Sequence, residues 1–290
     1  MSDYVIMTDS SCDLPAALAD QMELTVLPLY VDVDGQKYTN YLDEREISFS
    51  EIYAKLRTKC PAKTSAVNMN DFMGPMENLL KAGHDILYIG FSSGLSGTYS
   101  AGAMAAKELS ESYPDRKILT VDSLCASMGQ GLLVYLAWQE KQKGKSIEDV
   151  RDFAEDTKLR LCHWFTIDDL MFLKRGGRVS GATAIVGSML SIKPVMHVDN
   201  EGHLIKVDTA RGRKASIKAL ADKAEKLGVD LASQTVFISH GDCVEDANYL
   251  ADIMRNRFNV KNVVISYVGP VIGAHSGPGT VALFFLGRER

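Results

Sequence analysis

The sequence predicts an α/β protein of two units: a mainly parallel sheet with helices on both faces, then an α/β unit with a mixed sheet. Three observations carry this. In the first half, short apolar runs alternate with longer, capped helical stretches, the pattern of parallel strands joined by crossover helices. After about Leu161 the texture changes and a β-hairpin signal appears. The chain has 290 residues, 46% hydrophobic and 24% charged, which is enough apolar material for two moderate cores. The boundary is placed near residue 160, giving units 1–160 and 161–290.

In order, Tyr4–Thr8 reads as a strand ending in the polar turn Asp9-Ser10-Ser11-Cys12-Asp13, which opens a short helix. Leu24–Val31 reads as a second strand, closed by the turn dipeptide Asp34-Gly35. Ser48-Phe49-Ser50-Glu51 is a capping box and starts a helix to about Lys59. A further helix runs from about Asn70 to Ala82, with Gly83 as its stop. Strand Asp85–Phe91, a helix from about Ser96 to Ser112, strand Lys117–Ser123 and a helix from about Ala126 to Lys143 follow, and Ser146–Asp149 caps another helix.

In the second half, Cys162–Ile167 reads as a strand and Lys174–Arg178 as a basic, Gly-rich joint. A small-residue helix is expected over about Gly181–Leu190, and a hairpin over Lys193–Asp199 and Leu204–Thr209. Helices at about Arg213–Leu227 and Val244–Asn256 alternate with strands Thr235–His240 and Asn262–Tyr267. The run Gly269–Gly279, six of its residues Gly or Pro, reads as a tight loop before a last strand.

Composition excludes several classes. Net charge is −5, against nucleic-acid binding. The five cysteines are odd in number and widely spaced with no CxxC, against a disulfide framework or a zinc knuckle, so no metal is expected. Asp3 stands where a signal peptide carries positive charge, and no apolar run has the length of a membrane span. A cytoplasmic protein without an integral membrane segment is expected.

Chemistry concentrates in Gly90–Gly102, GFSSGLSGTYSAG, where a strand empties into a hydroxyl-rich loop before a helix. Such a loop suits an anion. Gly90-Phe91-Ser92-Ser93-Gly94 matches the G-x-S-x-G elbow of α/β hydrolases, with Ser92 as nucleophile and Asp208 or Asp242 and then His275 completing the chain order. The loop is neither a Walker motif nor G-x-G-x-x-G, which argues against nucleotide binding. A carboxylate needs donors more than formal charge, and the loop supplies them. A plain helix cap is the remaining reading. Lys63-Thr64-Ser65-Ala66 is a second hydroxyl-rich approach to a helix, and His275 is a single polar ring in the Gly/Pro run. Ser93 is expected where its hydroxyl and the amides after it point at one oxyanion.

At these residues the chain resembles the DegV family of bacterial proteins. The matching stretches are Thr8–Ser11, Lys63–Ser65, Ser92–Tyr99, Thr120–Ser123, Leu173–Ser180, Lys193–Val195 and Gly269–Gly279, in the family's order. The resemblance implies a two-domain α/β fold holding a long-chain fatty acid between the domains. It also implies a role as the non-catalytic, fatty-acid-binding subunit of a bacterial fatty acid kinase. A separate ATP-binding subunit then phosphorylates the presented carboxylate, and the acyl phosphate feeds phospholipid synthesis. Carried over, the carboxylate ligands are Thr64, Ser93 and His275, with Ser65 and Ser92 beside them. Arg178 and Arg211, with Arg175, are the expected docking residues for the kinase subunit. No cofactor is implied. Ser65 is followed by Ala66-Val67 where the family often has Gln-Pro, which bears on acyl-chain preference. The physics agrees: each buried CH₂ contributes about 0.8 kcal/mol, so the tail supplies affinity and the head needs only hydrogen-bond partners. Twelve methionines suit an adaptable apolar lining.

Overall fold

A computed structural model describes residues 4–179 and 191–290; the helix expected over about 181–190 lies outside the described residues. The chain opens with β1 (Tyr4–Asp9), α1 (Ala16–Gln21), β2 (Thr25–Leu27), β3 (Tyr30–Val33) and β4 (Gln36–Thr39). Then come α2 (Phe49–Arg57), β5 (Ala62–Ser65), α3 (Met69–Lys81), β6 (Asp85–Gly90), α4 (Thr98–Ser112), β7 (Ile118–Asp122), α5 (Met128–Gln142) and α6 (Ile147–Lys158). The capping boxes at Ser48 and Ser146 form, and Asn68 with Asp71 makes a third.

A four-stranded parallel sheet runs in the order β2-β1-β6-β7. β6 is buried on both faces, which is why it reads as a continuous apolar run. Ile86 and Tyr88 pack with Phe72, Met76 and Leu109 of α3 and α4, while Leu87 and Ile89 pack with Leu132, Leu133 and Val150 of α5 and α6. Leu24–Val31 is not one strand. Pro28 has no N–H to give a ladder, and the chain leaves the parallel sheet there. β3 instead pairs with β4 and β5 in a small antiparallel sheet, order β4-β3-β5, that sequence reading does not foresee.

The second half supplies β8 (Leu161–Thr166), α7 (Leu170–Gly176), β9 (Ile192–Val198), β10 (Leu204–Arg211), α8 (Arg213–Leu227), β11 (Thr235–His240), α9 (Val244–Phe258), β12 (Asn262–Tyr267), α10 (Pro270–Ser276) and β13 (Val281–Leu286). Its six-stranded sheet has the order β10-β9-β8-β13-β11-β12, with β11 and β12 parallel and the other pairs antiparallel. One face turns Trp164, Ile238, Leu283 and Phe285 toward α8 and α9. The other turns Phe165, Phe237, Ala282 and Phe284 toward α5 and the first half.

Two expectations are corrected here. Lys174 and Arg175 belong to the last turn of α7 rather than to a loop, with Gly177 as its left-handed cap. The Gly269–Gly279 run is largely helical: Pro270 occupies the first turn of α10, where its missing N–H costs nothing. α10 packs on α2, β3 and β5, so a helix of the second half lies against the small sheet of the first.

Candidate functional site

α10 places the site. Thr64 stands on β5 opposite Val31, and the last turn of α10 brings His275 Nε2 to 2.8 Å from Thr64 Oγ1. His275 Nδ1 is buried and has no hydrogen-bond partner among the described residues. Burial, and then the positive charge of Arg178, pull the His275 ring down to about 4, so it is neutral at pH 7. The end of α7 crosses directly over this ring. A Cβ at position 176 would overlap His275 Nδ1, so the close crossing requires Gly176.

Thr64 and His275 lie in the wall of a cavity between the two halves. Its lining is mostly apolar, with Leu29, Phe91, Phe165, Leu173, Leu204 and Val271 among its walls. Ser65, Ser96, Gly97, Ser276 and Arg178 join Thr64 and His275 in that lining. Ser276 Oγ is also buried with no hydrogen-bond partner among the described residues. Such a lining selects a ligand with a long apolar body. The hydroxyls and the neutral imidazole offer hydrogen-bond donors to an acceptor-only group such as a carboxylate.

The serines of the quoted loop divide. Ser93 is exposed and does not line the cavity; its backbone N–H donates to Asp122 Oδ1 at 3.2 Å. Ser92 is fully buried, and its hydroxyl donates to Gly202 O at 2.9 Å, tying the loop to the β9–β10 turn. Among the described residues, neither His275 nor an acidic side chain is bonded to it. Asp242 is engaged by Arg57 and Tyr267, and His275 by Thr64, so the hydrolase constellation is not assembled. Ser96, which sequence reading passed over, is the loop serine that lines the cavity, and its Oγ accepts from Thr98 N at the start of α4. No local signal separates it from Ser93: the sequence reading starts the helix at about Ser96, whereas α4 begins at Thr98 and leaves Ser96 in the loop.

Of the three arginines, only Arg178 lines the cavity; it is exposed and donates to Gly176 O at 2.5 Å. Arg175 and Arg211 are exposed and lie outside the lining, Arg175 resting over the Phe172 ring. Among the described residues, no group of three or more His, Cys, Asp or Glu could hold a metal ion, and no helix is long and apolar enough to cross a membrane.

Two packed α/β halves close on a mostly apolar cavity with hydrogen-bond donors gathered in its wall. The chain belongs to the DegV family: residues 3–288 match the family described as uncharacterised protein, DegV family. A DegV domain-containing protein of Clostridium perfringens is 46% identical over 290 residues, covering all of this chain and 99% of that protein. One from Streptococcus pyogenes serotype M3 is 35% identical over 286 residues, 99% of each chain. Among solved structures, the fold matches a DegV family protein from Thermus thermophilus described as binding fatty acid, at TM-score 0.86 and 29% identity, over 99% of this chain and 100% of that one. It also matches a DegV lipid binding protein from Thermotoga maritima at TM-score 0.85 and 28% identity, over 99% of each chain.

Proposed function

We propose that this protein binds one long-chain fatty acid, its carboxylate at Thr64, His275, Ser65 and Ser96 and its tail along the apolar wall, and presents that carboxylate to a separate ATP-binding fatty acid kinase subunit. The observation that carries the binding half is the Thr64–His275 pair set in the wall of a mostly apolar cavity. The solved relatives described as fatty-acid- or lipid-binding support it. A buried carboxylate without partners is costly, and this wall supplies neutral donors for it. Ser96 and Gly97 stand just before α4, whose N-terminal dipole favours a negative charge there. Presentation to a kinase is supported by the family resemblance and by three exposed arginines, Arg175, Arg178 and Arg211, the second of them at the cavity, charges suited to steering an acidic partner.

Native mass spectrometry of the protein as purified, followed by denaturing extraction, tests the binding half. A non-covalent adduct with a fatty-acid mass is expected; recovery of only nucleotides or sugar phosphates would overturn it. For the kinase half, Arg175→Ala and Arg211→Ala should keep fatty-acid affinity and lower ATP-dependent formation of acyl phosphate by the added subunit. Full phosphorylation by both variants would remove these arginines from the docking surface.

A further inference from the structure

Apart from the Thr64–His275 wall, the cavity lining carries a second polar strip: Ser127, Ser239 and His163. All three are at least nine-tenths buried, at 3%, 0% and 3% exposure. Ser127 precedes α5 and Ser239 stands on β11, so the pair bridges the two halves. Ser127 Oγ lies 2.6 Å from Asp13 Oδ2 and 3.0 Å from Ser239 Oγ. Burial pushes the Asp13 carboxyl up to about 8, so it keeps its proton at pH 7. Ser127 Oγ donates to Asp13 Oδ2, so Ser239 gives its own hydrogen to Ser127. Ser239 Oγ is then left as an acceptor.

His163 adds a second polar atom. Its Nδ1 is buried with no hydrogen-bond partner among the described residues, and burial holds the ring well below its ordinary value, so it is neutral. The backbone of Gly129, two residues on from Ser127, runs close beside it; a Cβ there would stand 3.1 Å from His163 Nδ1. The strip is displaced from the Thr64–His275 wall by α10. Gly269, at the start of that helix, adjoins Asp13, and His275 lies six residues further along, about 9 Å at 1.5 Å per residue.

A saturated tail passing this strip meets polar atoms it cannot pair with. A hydroxyl both gives and accepts, and so can meet either Ser239 or His163. We propose that the cavity selects fatty acids carrying a hydroxyl part-way along the chain, received by the Ser127–Ser239 pair or by His163. This inference rests on the fatty-acid reading of the site.

The test is competitive binding of stearate, 10-hydroxystearate and 12-hydroxystearate to the full-length protein. One hydroxystearate should bind roughly three- to tenfold tighter than stearate, the worth of one buried hydrogen bond. Ser239→Ala or His163→Phe should abolish that preference, with a circular-dichroism spectrum and thermal melt like the wild type showing that the variant is folded. Equal or weaker binding of both hydroxy acids by the wild-type protein overturns the proposal, as does a preference that survives both substitutions. If stearate and both hydroxy acids fail to bind, the fatty-acid reading itself falls, and this proposal with it.

Discussion

His275 Nε2 and Thr64 Oγ1 stand 2.8 Å apart although 211 positions separate them in the chain. The bond joins the last turn of α10 to β5, and so fixes one wall of the cavity from both halves of the molecule.

Thr64→Val keeps the shape of the side chain and removes its donor. A hydrogen bond to a charged acceptor is worth about 1.5–3 kcal/mol, so fatty-acid affinity should fall roughly ten- to a hundredfold. His275→Phe should lower it too, and the two losses should not add, because the pair acts on one carboxylate. Isothermal titration of the two single variants and the double variant checks this; additive losses would separate the residues.

Ser96→Ala should weaken fatty-acid binding, whereas Ser93→Ala should leave it near wild type, because Ser93 faces solvent outside the cavity. Ser92 spends its hydrogen on Gly202 O, so a fluorophosphonate probe should leave it unlabelled. Mass spectrometry after probe treatment, beside affinities for the three serine variants, reads both outcomes.

Arg290 is 7% exposed and donates to the carbonyls of Leu124 and Asp199 at 2.8 and 3.0 Å, and to those of Leu161, Ser123 and Lys158 as well. These acceptors lie on both halves. Arg290→Ala strands several buried carbonyls and should cost about 3 kcal/mol of stability. A thermal melt that matches the wild type would show that the guanidinium contributes nothing net.

Stability should respond to pH in two opposed ways. The folded value of Asp13 lies above that of an unfolded carboxyl, so its stabilising contribution is complete below about pH 4 and is lost as pH rises through about 8. His197 and His275, held at about 4 chiefly by burial, contribute fully above about pH 6.5 and lose that contribution as pH falls toward 4. Asp13→Asn should therefore flatten the decline in Tm between about pH 6.5 and 8 and leave the histidine-linked loss toward pH 4 in place. A parallel decline in both proteins would show that Asp13 titrates at its ordinary value.

Elements built on local chemistry were legible in the sequence. The capping box at Ser48 and the apolar run Ile86–Ile89 each carry their own signal, in side-chain caps and in two-sided burial. Thr64 and His275 could be picked out singly from their surroundings, but nothing local shows that they touch. What was misread depends on packing far along the chain. The Gly/Pro content of residues 269–279 suggests a loop until Pro270 is placed in the first turn of a helix. Pro28 divides Leu24–Val31 between two sheets, and a strand pattern alone does not say which partner each piece takes. Ser93 and Ser96 differ only in which way a short loop turns before α4, and no periodicity records that.

The position of β13 sets an order of events for the growing chain. It is the last strand to leave the ribosome among those described, yet it stands inside its sheet, between β8 and β11. The parallel sheet of the first half can assemble while β13 is still being made, as an early domain does in synthesis. The second sheet cannot close, and the cavity lacks Thr280 and Ala282 from its wall. The cavity wall is therefore completed only after translation has passed residue 286, so an emerging chain offers no closed pocket beside the ribosome.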